Sequence, residues 1–589
     1  MNHLAGGLHP QSRVDFFVEK GWWTDETMDG LFWQRVAERP AELAVVDPLN
    51  RVDLDGEAPR RLTWGQLGSE VTWLAARFLE HGVKRGDVVG MQLPNSIEQL
   101  EVYLAAWSIG AIVSPLAMQY REYELVSAAN DAAFDAYVCG ESFGERRIAA
   151  EVAAARDKLP TVQTVFSIGR ADAAPIDGVV RLAPQSAEDS DEATIVAVRA
   201  AQPNDPNDCA TICWTSGTEG QPKGVMRAHY DWLSFSWAVI DALKAAGSRG
   251  DGEDTGAEEL QELSADDVLL NPFPLINMAG VCGMLLPWLR TGCVLVQHHP
   301  FDGPTFFAQV ATERVTCTIL PPALLWMLLN NEELLSKVDL SSLTRLGSGS
   351  APLQPAMVRG WQEKMGLKVI NFFGSNEGVA LLSSGEDFPD ADDRANFFPR
   401  YGAEGVQWAS RVSTWVHHKL VDIETGEVIT EAGRPGELYI SGPQLFGRYV
   451  KGESLASPFD AEGYLKTGDV FEIAGEKRQY LRYVDRAKDL IIRGGMNIAP
   501  ASLEQLITEH PAVFEVAVVG DPDEMLGERV AAIVVLRPGA ELTLEQLVDF
   551  LRERRIASFK LPERLSVLDS LPRNPVGKVL KRDLRVMAS

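Results

Sequence analysis

Residues 210–224 read ATICWTSGTEGQPKG, an apolar run that leads into a loop of small and polar residues. Ten residues from Thr215 to Gly224 contain three glycines, two threonines, a serine and a lysine. Glycines let the backbone approach an anion, hydroxyls donate to phosphate oxygens and lysine adds positive charge. By itself the loop is as compatible with an ordinary polar turn as with a phosphate site. It is not the common P-loop, because no G-x-x-x-x-G-K-[ST] motif occurs in the chain.

Helix and strand patterns alternate on both sides of this loop. Thr63 and Gln66 form a capping-box pattern, and apolar residues at helical spacing follow until Gly82. Residues 87–93 indicate a buried strand, and residues 100–116 are mostly apolar and helix-like, with a turn toward the end of that segment. Further strand-like runs occupy 134–139, 292–297 and 314–320. This alternation predicts an α/β fold with parallel strands.

The pattern changes in the last third of the chain. Residues 412–483 contain short strand-like runs, which predict a β-barrel-like subdomain. Beyond residue 485 the pattern indicates strands at 513–520 and 530–536 and a helix opened by Thr543 and Gln546. We therefore expect a large N-terminal domain of packed α/β subdomains plus this barrel-like part, and a small mobile α+β C-terminal domain. The predicted domains are 1–485 and 486–589.

Composition limits the possible functions. The chain has 589 residues, a net charge of −28 and a pI of about 4.8, so its surface repels nucleic acids and anionic membranes. Its six cysteines are scattered and form no CxxC pair. We therefore expect no disulfides and no zinc site, and this cysteine usage favours a cytoplasmic location. We see no signal peptide at the N-terminus. The longest apolar run, 278–289, is too short for a membrane span of roughly 20 residues and is interpreted as core.

Five more motifs follow the loop in a fixed order. They are GSAP (349–352), NFFGSNEG (371–378), YLKTGD (464–469), DRAKD (485–489) with GGMNIAP (494–500), and PRNPVGK (572–578). Together with TSGTEGQPKG they resemble the signatures of the adenylate-forming superfamily, which includes acyl-CoA synthetases, nonribosomal adenylation domains and luciferases. The resemblance spans nearly the whole chain.

This resemblance implies a reaction in two steps. A carboxylate and ATP form an acyl-adenylate with release of pyrophosphate, and the acyl group then passes to CoA as a thioester. Two anions must meet in the first step, so the site needs fixed positive charge near the α-phosphate. The implied cofactors are ATP, Mg²⁺ and CoA, and the implied enzyme is an AMP-forming acid–CoA ligase.

The resemblance also implies roles for individual residues. Catalysis is assigned to Lys578, Glu377 and Thr218, of which Glu377 and Thr218 would hold Mg²⁺. Lys488 would be the hinge between the domains, and Gly494 and Gly495 would line the CoA tunnel. The residues assigned to ATP or AMP are Thr215, Ser216, Gly217, Thr218, Glu219, Gly220, Lys223, Gly349, Ser350, Ala351, Pro352, Asn371, Phe372, Phe373, Gly374, Ser375, Asp469 and Arg486. Among these, Asp469 would accept both ribose hydroxyls and Phe373 would stack on adenine.

Two departures from the family pattern concern the acid. Many acyl-CoA synthetases have an aromatic–His pair where this chain has Ile276 and Asn277, and the Thr before the motif's Glu is Asn376 here. Candidate residues of the acid pocket are Asn277, Met278, Gly280, Ser348, Gly349, Phe373, Gly374 and Val379. They include no lysine or arginine for a second carboxylate. Their mix of small and apolar residues favours a bulky alicyclic acid of terpenoid or steroid type.

Other functions stay open at this point. The enzyme could stop at the acyl-adenylate and hand it to a separate acceptor protein or carrier, although the intact 494–500 segment favours CoA. A catalytically dead nucleotide-binding regulator predicts loss of Lys578, Glu377 or Asp469, and all three are present. A luciferase-like oxygenase has the weakest support. The expected partners are a small carboxylic acid, ATP and CoA, with no nucleic acid and no membrane span; a homodimer is considered, but the sequence does not define the oligomeric state or the acid.

Overall fold

The computed structural model describes most of the chain, with short gaps. The described residues are 7–169, 174–215, 222–246, 260–349, 351–451, 457–493, 496–523, 526–554, 556, 558–573 and 579–588.

The first part of the chain alternates strands and helices, as predicted. Its elements are α1 (Gln11–Glu19), α2 (Met28–Glu38), β1 (Leu43–Val46), α3 (Arg51–Asp55), β2 (Arg61–Thr63), α4 (Trp64–Glu80), β3 (Val88–Gln92), α5 (Ile97–Ser108), β4 (Ile112–Pro115), α6 (Glu122–Ala132), β5 (Ala136–Gly140), α7 (Ile148–Ala154), β6 (Thr164–Ile168), β7 (Val179–Leu182), α8 (Asp189–Ala201), β8 (Cys209–Thr215), β9 (Lys223–Ala228), α9 (His229–Ala242) and β10 (Ala245–Ala246).

The second part continues the alternation. Its elements are β11 (Leu260–Gln261), β12 (Val268–Asn271), α10 (Met278–Gly280), a π-helical turn (Val281–Leu285), α11 (Leu286–Thr291), β13 (Val294–Gln297), α12 (Gly303–Thr312), β14 (Cys317–Ile319), α13 (Pro322–Leu329), α14 (Glu332–Leu335), β15 (Arg345–Gly349), α15 (Pro355–Met365), β16 (Ile370–Gly374), β17 (Ala380–Ser383), α16 (Ala391–Asn396) and β18 (Phe397–Pro399).

The last part is richer in antiparallel strands. Its elements are β19 (His417–Val421), β20 (Val428–Ile429), β21 (Pro435–Ser441), β22 (Arg448–Tyr449), β23 (Leu465–Ala474), β24 (Tyr480–Arg486), β25 (Ile491–Arg493), β26 (Met496–Ile498), α17 (Pro500–Thr508), β27 (Val513–Asp523), β28 (Gly527–Leu536), α18 (Leu544–Glu553), β29 (Arg564–Val567) and α19 (Lys581–Ala588). Short 3₁₀ turns lie at Arg156–Lys158, Arg411–Thr414 and Ser558–Lys560.

Two large sheets form the centre of the N-terminal part. One has the strand order β17-β16-β15-β14-β12-β13-β1-β2 and the other β22-β9-β8-β4-β3-β5-β6-β7. The inner strands of both are parallel, and the antiparallel pairs lie toward their ends. Helices α4, α5, α9 and α11 share one apolar core with both sheets, so they form the layer between them. This arrangement confirms the predicted α/β fold.

Parallel strands bring their carboxyl ends to one edge of a sheet, where α/β proteins bind ligands. Strands β8, β15 and β16 end at Thr215, Gly349 and Gly374, so three of the sequence motifs begin at such ends. The fold therefore gathers motifs that lie more than a hundred residues apart in the chain.

Of the three remaining sheets, one is the two-stranded pair β10-β11, and the other two match the predicted change of pattern. A six-stranded antiparallel sheet has the order β18-β24-β23-β21-β19-β20, and it is the barrel-like part that residues 412–483 predicted. The C-terminal sheet has the order β26-β25-β28-β27, with β29 added beside β28, and it packs with α17, α18 and α19. Strand β24 ends at Arg486 and the C-terminal sheet begins at Ile491, while the exact domain boundary at 485/486 stays a prediction.

One segment differs from its prediction. The helix-like reading of 100–116 holds only to Ser108, where α5 ends, and Ile112–Pro115 is the core strand β4. Gly110 adopts φ +74°, a left-handed conformation that glycine tolerates and that ends the helix. Both halves are apolar because both are fully buried, so the hydrophobic pattern could not show the change from helix to strand.

Candidate active site

The phosphate-loop motif starts and ends on paired strands. Thr215 closes β8 and lies opposite Lys223, the first residue of β9, in an antiparallel pair. The Lys223 N–H donates to the Thr215 hydroxyl at 3.4 Å, so that side chain stabilises the base of the loop. The predicted ligands Ser216, Gly217, Thr218, Glu219 and Gly220 lie outside the described residues. The strand pairing brings Thr215 and Lys223, which flank these residues in sequence, together at the carboxyl end of β8.

The Glu377 turn connects β16 and β17. The Gly378 N–H donates to the Ser375 carbonyl at 3.0 Å, and Gly378 has φ +102°. A Cβ added at Gly378 would lie 2.2 Å from the Gln444 carbonyl oxygen, so only glycine fits there. The Phe446 N–H donates to the Glu377 carbonyl at 3.0 Å. The turn therefore packs against residues 444–446 and is hydrogen-bonded to them.

Tyr449 connects the Glu377 turn to the phosphate loop. Its hydroxyl donates to Glu377 Oε1 at 3.0 Å, and the Lys223 ammonium lies 5.5 Å from the centre of its ring. Burial raises the pKa of Tyr449, and the negative charge of Glu377 raises it further. Tyr449 thus stays a protonated donor and fixes one oxygen of the Glu377 carboxylate.

The Glu377 carboxylate is the type of ligand that a magnesium ion prefers. Mg²⁺ prefers oxygen ligands and is usually bound through one or two carboxylates together with substrate phosphates. Within the part of the chain that the structure describes, no group of three or more His, Cys, Asp or Glu side chains could hold a metal by itself. A site completed by nucleotide phosphates is consistent with that finding. Thr218, the second predicted ligand, lies outside the described residues.

The predicted adenine side is a junction of β15 and β16. A Cβ at Gly349 would lie 2.3 Å from the Phe372 carbonyl oxygen, so a small residue is required for the two strands to approach. The Phe373 ring lies 5.2 Å from Phe471 and 5.5 Å from Tyr483, centre to centre, in an aromatic cluster. That cluster holds Phe373 in place, and its stacking on adenine stays a prediction.

Three more predicted nucleotide contacts, Asn371, Ala351 and Pro352, lie in or just beyond these strands. The Asn371 amide donates to the carbonyls of Ala395 and Arg394 at 3.1 and 3.3 Å, so it fixes α16 to β16. Ala351 and Pro352 are exposed just beyond β15, and Ser350 lies outside the described residues.

Asp469 and Arg486 form an ion pair across β23 and β24. Arg486 Nε lies 2.9 Å from Asp469 Oδ1, and the two residues are direct partners in the strand register. Burial lowers the pKa of Arg486, but the acidic groups around it, Asp469 first among them, together outweigh this effect, so the pKa is raised overall. The pair brings a carboxylate and a guanidinium to one place, as binding of a ribose beside a phosphate would require.

Lys488 follows this pair at the predicted hinge. Burial lowers the pKa of its ammonium, and the nearby Arg486 and Arg585 charges lower it further. Arg585 of α19 donates to the Lys488 carbonyl at 3.4 Å and to Asp489 Oδ1 at 3.1 Å. Gly494, Gly495 and Lys578 lie outside the described residues, so the structure does not place the predicted CoA tunnel or the catalytic lysine.

The acid-pocket candidates fall into two groups. Met278, Gly374 and Val379 come together, since a Cβ at Gly374 would lie 3.8 Å from Met278 Cγ and 2.8 Å from the Val379 carbonyl. The others have contacts inside the fold: Asn277 caps α10, and the Ser348 hydroxyl donates to the Leu320 carbonyl at 2.8 Å.

Gly280 packs closely as well, because a Cβ there would lie 2.2 Å from the Pro274 carbonyl. The adjoining π-helical turn, 281–285, is an irregularity that is frequent at functional sites.

Sequence reasoning missed three residues that support the site. Asn376 was noted only as a departure, but its Oδ1 accepts the Met278 N–H at 2.8 Å and its Nδ2 donates to the Trp214 carbonyl at 3.4 Å. Arg227 and Tyr449 were not considered. A charged residue within the apolar run of β9 was the available signal for Arg227, and Tyr449 carried none because its partner is 72 residues away.

Comparison with protein families identifies the class. Residues 32–450 match the model of the AMP-binding enzyme family, and residues 502–578 match that of the AMP-binding enzyme C-terminal domain. The chain therefore belongs to the AMP-binding enzyme family. The resemblance inferred from the motifs is confirmed.

Individual relatives agree over nearly their full length. The medium-chain fatty-acid–CoA ligase of Escherichia coli (strain K12) is 29% identical over 581 residues, covering 98% of this chain and 93% of the relative. The 3-[(3aS,4S,7aS)-7a-methyl-1,5-dioxo-octahydro-1H-inden-4-yl]propanoyl:CoA ligase of Rhodococcus jostii (strain RHA1) is 30% identical, covering 90% of this chain and 94% of the relative. The crystal structure of ATP-bound MatB from Rhodopseudomonas palustris superposes with a TM-score of 0.73 at 25% identity, covering 95% and 99% of the two chains.

These findings confirm an AMP-forming acid–CoA ligase that uses ATP, Mg²⁺ and CoA. No helix among the described residues is long and apolar enough to cross a membrane.

Proposed function

We propose that this ligase activates a bulky alicyclic carboxylic acid of terpenoid or steroid type. The observation that supports the proposal is that Met278, Gly374 and Val379, three of the small and apolar residues predicted for the acid pocket, lie close together. Such residues would leave room for a fused ring system and offer no charge to a second carboxylate. The Rhodococcus jostii relative, whose named substrate carries a propanoyl group on an octahydro-indene ring, supports the same class of acid.

We assign binding of ATP and the acid to domain 1–485, and we assign Lys578 to a mobile domain, 486–589, that takes part in both half-reactions. In the first half-reaction a carboxylate oxygen of the acid bonds to the α-phosphorus of ATP, and the bond to pyrophosphate breaks. Lys578 would stabilise the negative charge that develops there, since fixed positive charge is worth most where charge builds up. Magnesium, when bound, neutralises part of the phosphate charge. Glu377 and Thr218 would hold it.

The remaining site residues bind and orient the nucleotide in this proposal. The 215–223 loop would hold the phosphates, Asp469 would accept the ribose hydroxyls and Arg486 would contact ribose or phosphate. Gly349 and Phe373 would enclose the adenine.

In the second half-reaction the CoA thiol attacks the acyl carbon and AMP leaves. Rotation about Lys488 would present a second face of the C-terminal domain, with Gly494 and Gly495 beside the pantetheine arm. Small residues there permit close approach of the thiol. A downstream acceptor protein is the alternative destination of the acyl group.

A pyrophosphate-release screen tests the proposal. Alicyclic, steroid, terpenoid, aryl and straight-chain acids of matched carbon number are supplied with and without CoA, and acyl-AMP and acyl-CoA are detected by mass. We expect the highest kcat/KM for a fused-ring acid and a thioester as product. Equal or better turnover of fatty acids would reject the acid class, and acyl-AMP without thioester would reject the CoA step in favour of a separate acceptor.

A further inference from the structure

Arg227 is a completely buried arginine in β9, beside the Glu377 turn. One guanidinium nitrogen donates to the Asn376 carbonyl at 3.1 Å. The other donates to the Gln444 carbonyl at 2.7 Å. Asn376 immediately precedes Glu377, and the Gln444 carbonyl is the group that packs on Gly378. The guanidinium therefore ties together the two backbone segments that enclose Glu377.

A carboxylate and an aromatic ring lie against this buried guanidinium. Its Nε lies 3.7 Å from Asp231 Oδ2, and its guanidinium carbon lies 4.1 Å above the Trp232 ring. Burial lowers the pKa of Arg227, while the negative charges of Asp231 and Glu377 act in the opposite direction. A buried ion pair is weak evidence for stability, because apolar residues of similar volume often serve as well. The geometry of the donors is what an apolar residue could not reproduce.

Residues 9–23, near the N-terminus, contact Asp231 and the 442–444 segment as well. His9 Nε2 lies 3.4 Å from Asp231 Oδ1. Arg13 donates to the Gly442 carbonyl at 3.0 Å, and the Trp23 indole N–H donates to the Pro443 carbonyl at 3.1 Å. Residues 442–444 are thus fixed between this segment and Arg227, and they lead directly into Phe446 and Tyr449.

We propose that Arg227 and Tyr449 are positioning residues for Glu377, with Arg227 fixing the backbone of its turn and Tyr449 fixing its carboxylate. The inference rests on the proposed role of Glu377 in holding Mg²⁺ with ATP. Residues that orient a metal ligand from behind commonly change metal affinity or activity by roughly 10- to 100-fold when replaced. Loss of either residue should therefore weaken Mg²⁺ binding and leave the residues that bind the acid in place.

The test compares Arg227→Lys, Tyr449→Phe and Glu377→Gln with the natural protein. Lysine keeps the charge but lacks the planar fork that reaches two carbonyls, and phenylalanine keeps the ring near Lys223 but loses the hydroxyl. Arg345→Lys is the matched control, since Arg345 is also buried and donates to a carbonyl, that of Leu243, at 2.6 Å. Mg²⁺ is titrated at fixed ATP, and both the ATP-induced shift in Tm and pyrophosphate release are followed.

We expect the Mg²⁺ concentration for half-maximal effect to rise about tenfold or more in Arg227→Lys and Tyr449→Phe. Arg345→Lys should lower Tm without moving that midpoint. If Arg227→Lys does not fold, Tyr449→Phe decides the question, because its ring remains in place. Folded variants with an unchanged midpoint would overturn the inference.

The Glu377→Gln variant separates this failure from failure of the proposed function. If Glu377→Gln shifts the midpoint and the other two variants do not, only the positioning roles are wrong. If Glu377→Gln leaves it unchanged, the role of Glu377 is wrong and the inference falls with it. Should none of the acids be turned over, the shift in Tm still reports nucleotide binding without any acid.

Discussion

The Asn376 side chain shows how one substitution in a motif reorganises contacts. The resembling motif has a threonine at this position, and threonine carries one hydroxyl on a short, branched stem. The asparagine amide both accepts and donates, and it joins the Met278 N–H to the Trp214 carbonyl. It therefore connects the start of α10 with β8, the strand that precedes the phosphate-loop motif.

A first prediction concerns this connection. Asn376→Thr shortens the side chain, so we expect it to lose the Met278 contact and to raise KM for the acid more than KM for ATP. A loss of one neutral hydrogen bond corresponds to about 1 kcal/mol, or roughly fivefold in KM. Steady-state kinetics with each substrate varied in turn measure both values. An equal rise in both KM values would contradict the assignment.

A second prediction concerns Lys578. Lys578→Ala should abolish acyl-adenylate formation, since it removes the positive charge near the α-phosphate, and should spare thioester formation from supplied acyl-adenylate and CoA. The two half-reactions are assayed separately, with the exposed Lys337→Ala as control. Adenylation at the normal rate in Lys578→Ala would show that the lysine has another role.

His418 is a half-buried histidine with both ring nitrogens out of contact with solvent, and its effect on stability depends on pH. Its ring stacks on Tyr401 at 5.3 Å, and burial lowers its pKa to about 3, with His417 and Arg400 adding to the shift. Below the ordinary pKa of about 6.5 the unfolded chain binds a proton that the folded protein does not. The free energy of unfolding therefore falls as the pH falls through 6.5 toward 3.

A third prediction follows from this loss of stability at low pH. His418→Phe keeps the stack and removes the titration, so it should recover about 2 kcal/mol of the stability that the natural protein loses between pH 6.5 and pH 5. Urea denaturation at both pH values measures the difference. His417→Phe is the control, because His417 is exposed on the same strand. An identical loss in His418→Phe and the natural protein would show that another group titrates.

At the scale of single elements, local signals were reliable where they act within a few residues. The capping boxes at Thr63 and Thr543 were predicted from sequence, and both are present, at the starts of α4 and α18. The turn after Glu377 could not be predicted in this way. Glycine is required at position 378 because the Gln444 carbonyl, in another segment of the chain, lies too close for a side chain. Capping involves neighbouring residues in the chain, whereas that close approach involves distant ones.

A fourth prediction tests the cap of α18. The Thr543 hydroxyl accepts the Gln546 N–H at 3.3 Å, and Gln546 Oε1 accepts the Thr543 N–H at 2.9 Å. Thr543→Ala should lower the free energy of unfolding of the C-terminal part by about 1 kcal/mol, while Thr543→Ser should be close to neutral. Chemical denaturation measures both, and equal stability of the alanine and serine variants would contradict the cap's contribution.

At the scale of the whole molecule, two faces of one small domain are expected to serve two half-reactions. Asp485, in β24, accepts the Ala501 N–H of α17 at 2.8 Å, and burial raises the pKa of its carboxyl group. Lys581 of α19 lies 2.8 Å from Glu504 of α17. The Asp485–Ala501 hydrogen bond joins β24 to α17 across the predicted boundary, whereas the Lys581–Glu504 pair lies within the predicted C-terminal domain.

A fifth prediction tests the division of labour between these faces. Gly495→Leu should block the approach of the CoA thiol and leave adenylation intact, so acyl-AMP accumulates. This is the reverse of the result expected for Lys578→Ala. Burst kinetics with mass detection distinguish them, with Gly303→Leu as a control outside the predicted site, because a Cβ added at Gly303 would meet nothing within 4 Å. Normal thioester formation in Gly495→Leu would place the thiol path elsewhere.

The sequence by itself determined the class of fold, the family and the kind of chemistry. The motifs are short segments whose residue types and spacing can be recognised locally, and alternation of strand and helix patterns requires only local periodicity. The change from helix to strand at Ile112–Pro115 was not visible, because complete burial makes both patterns uniformly apolar. Only the tertiary structure decided which side chains support the motifs. Arg227, Tyr449 and Asn376 act through partners more than 70 residues away, and no local pattern encodes a contact between distant segments.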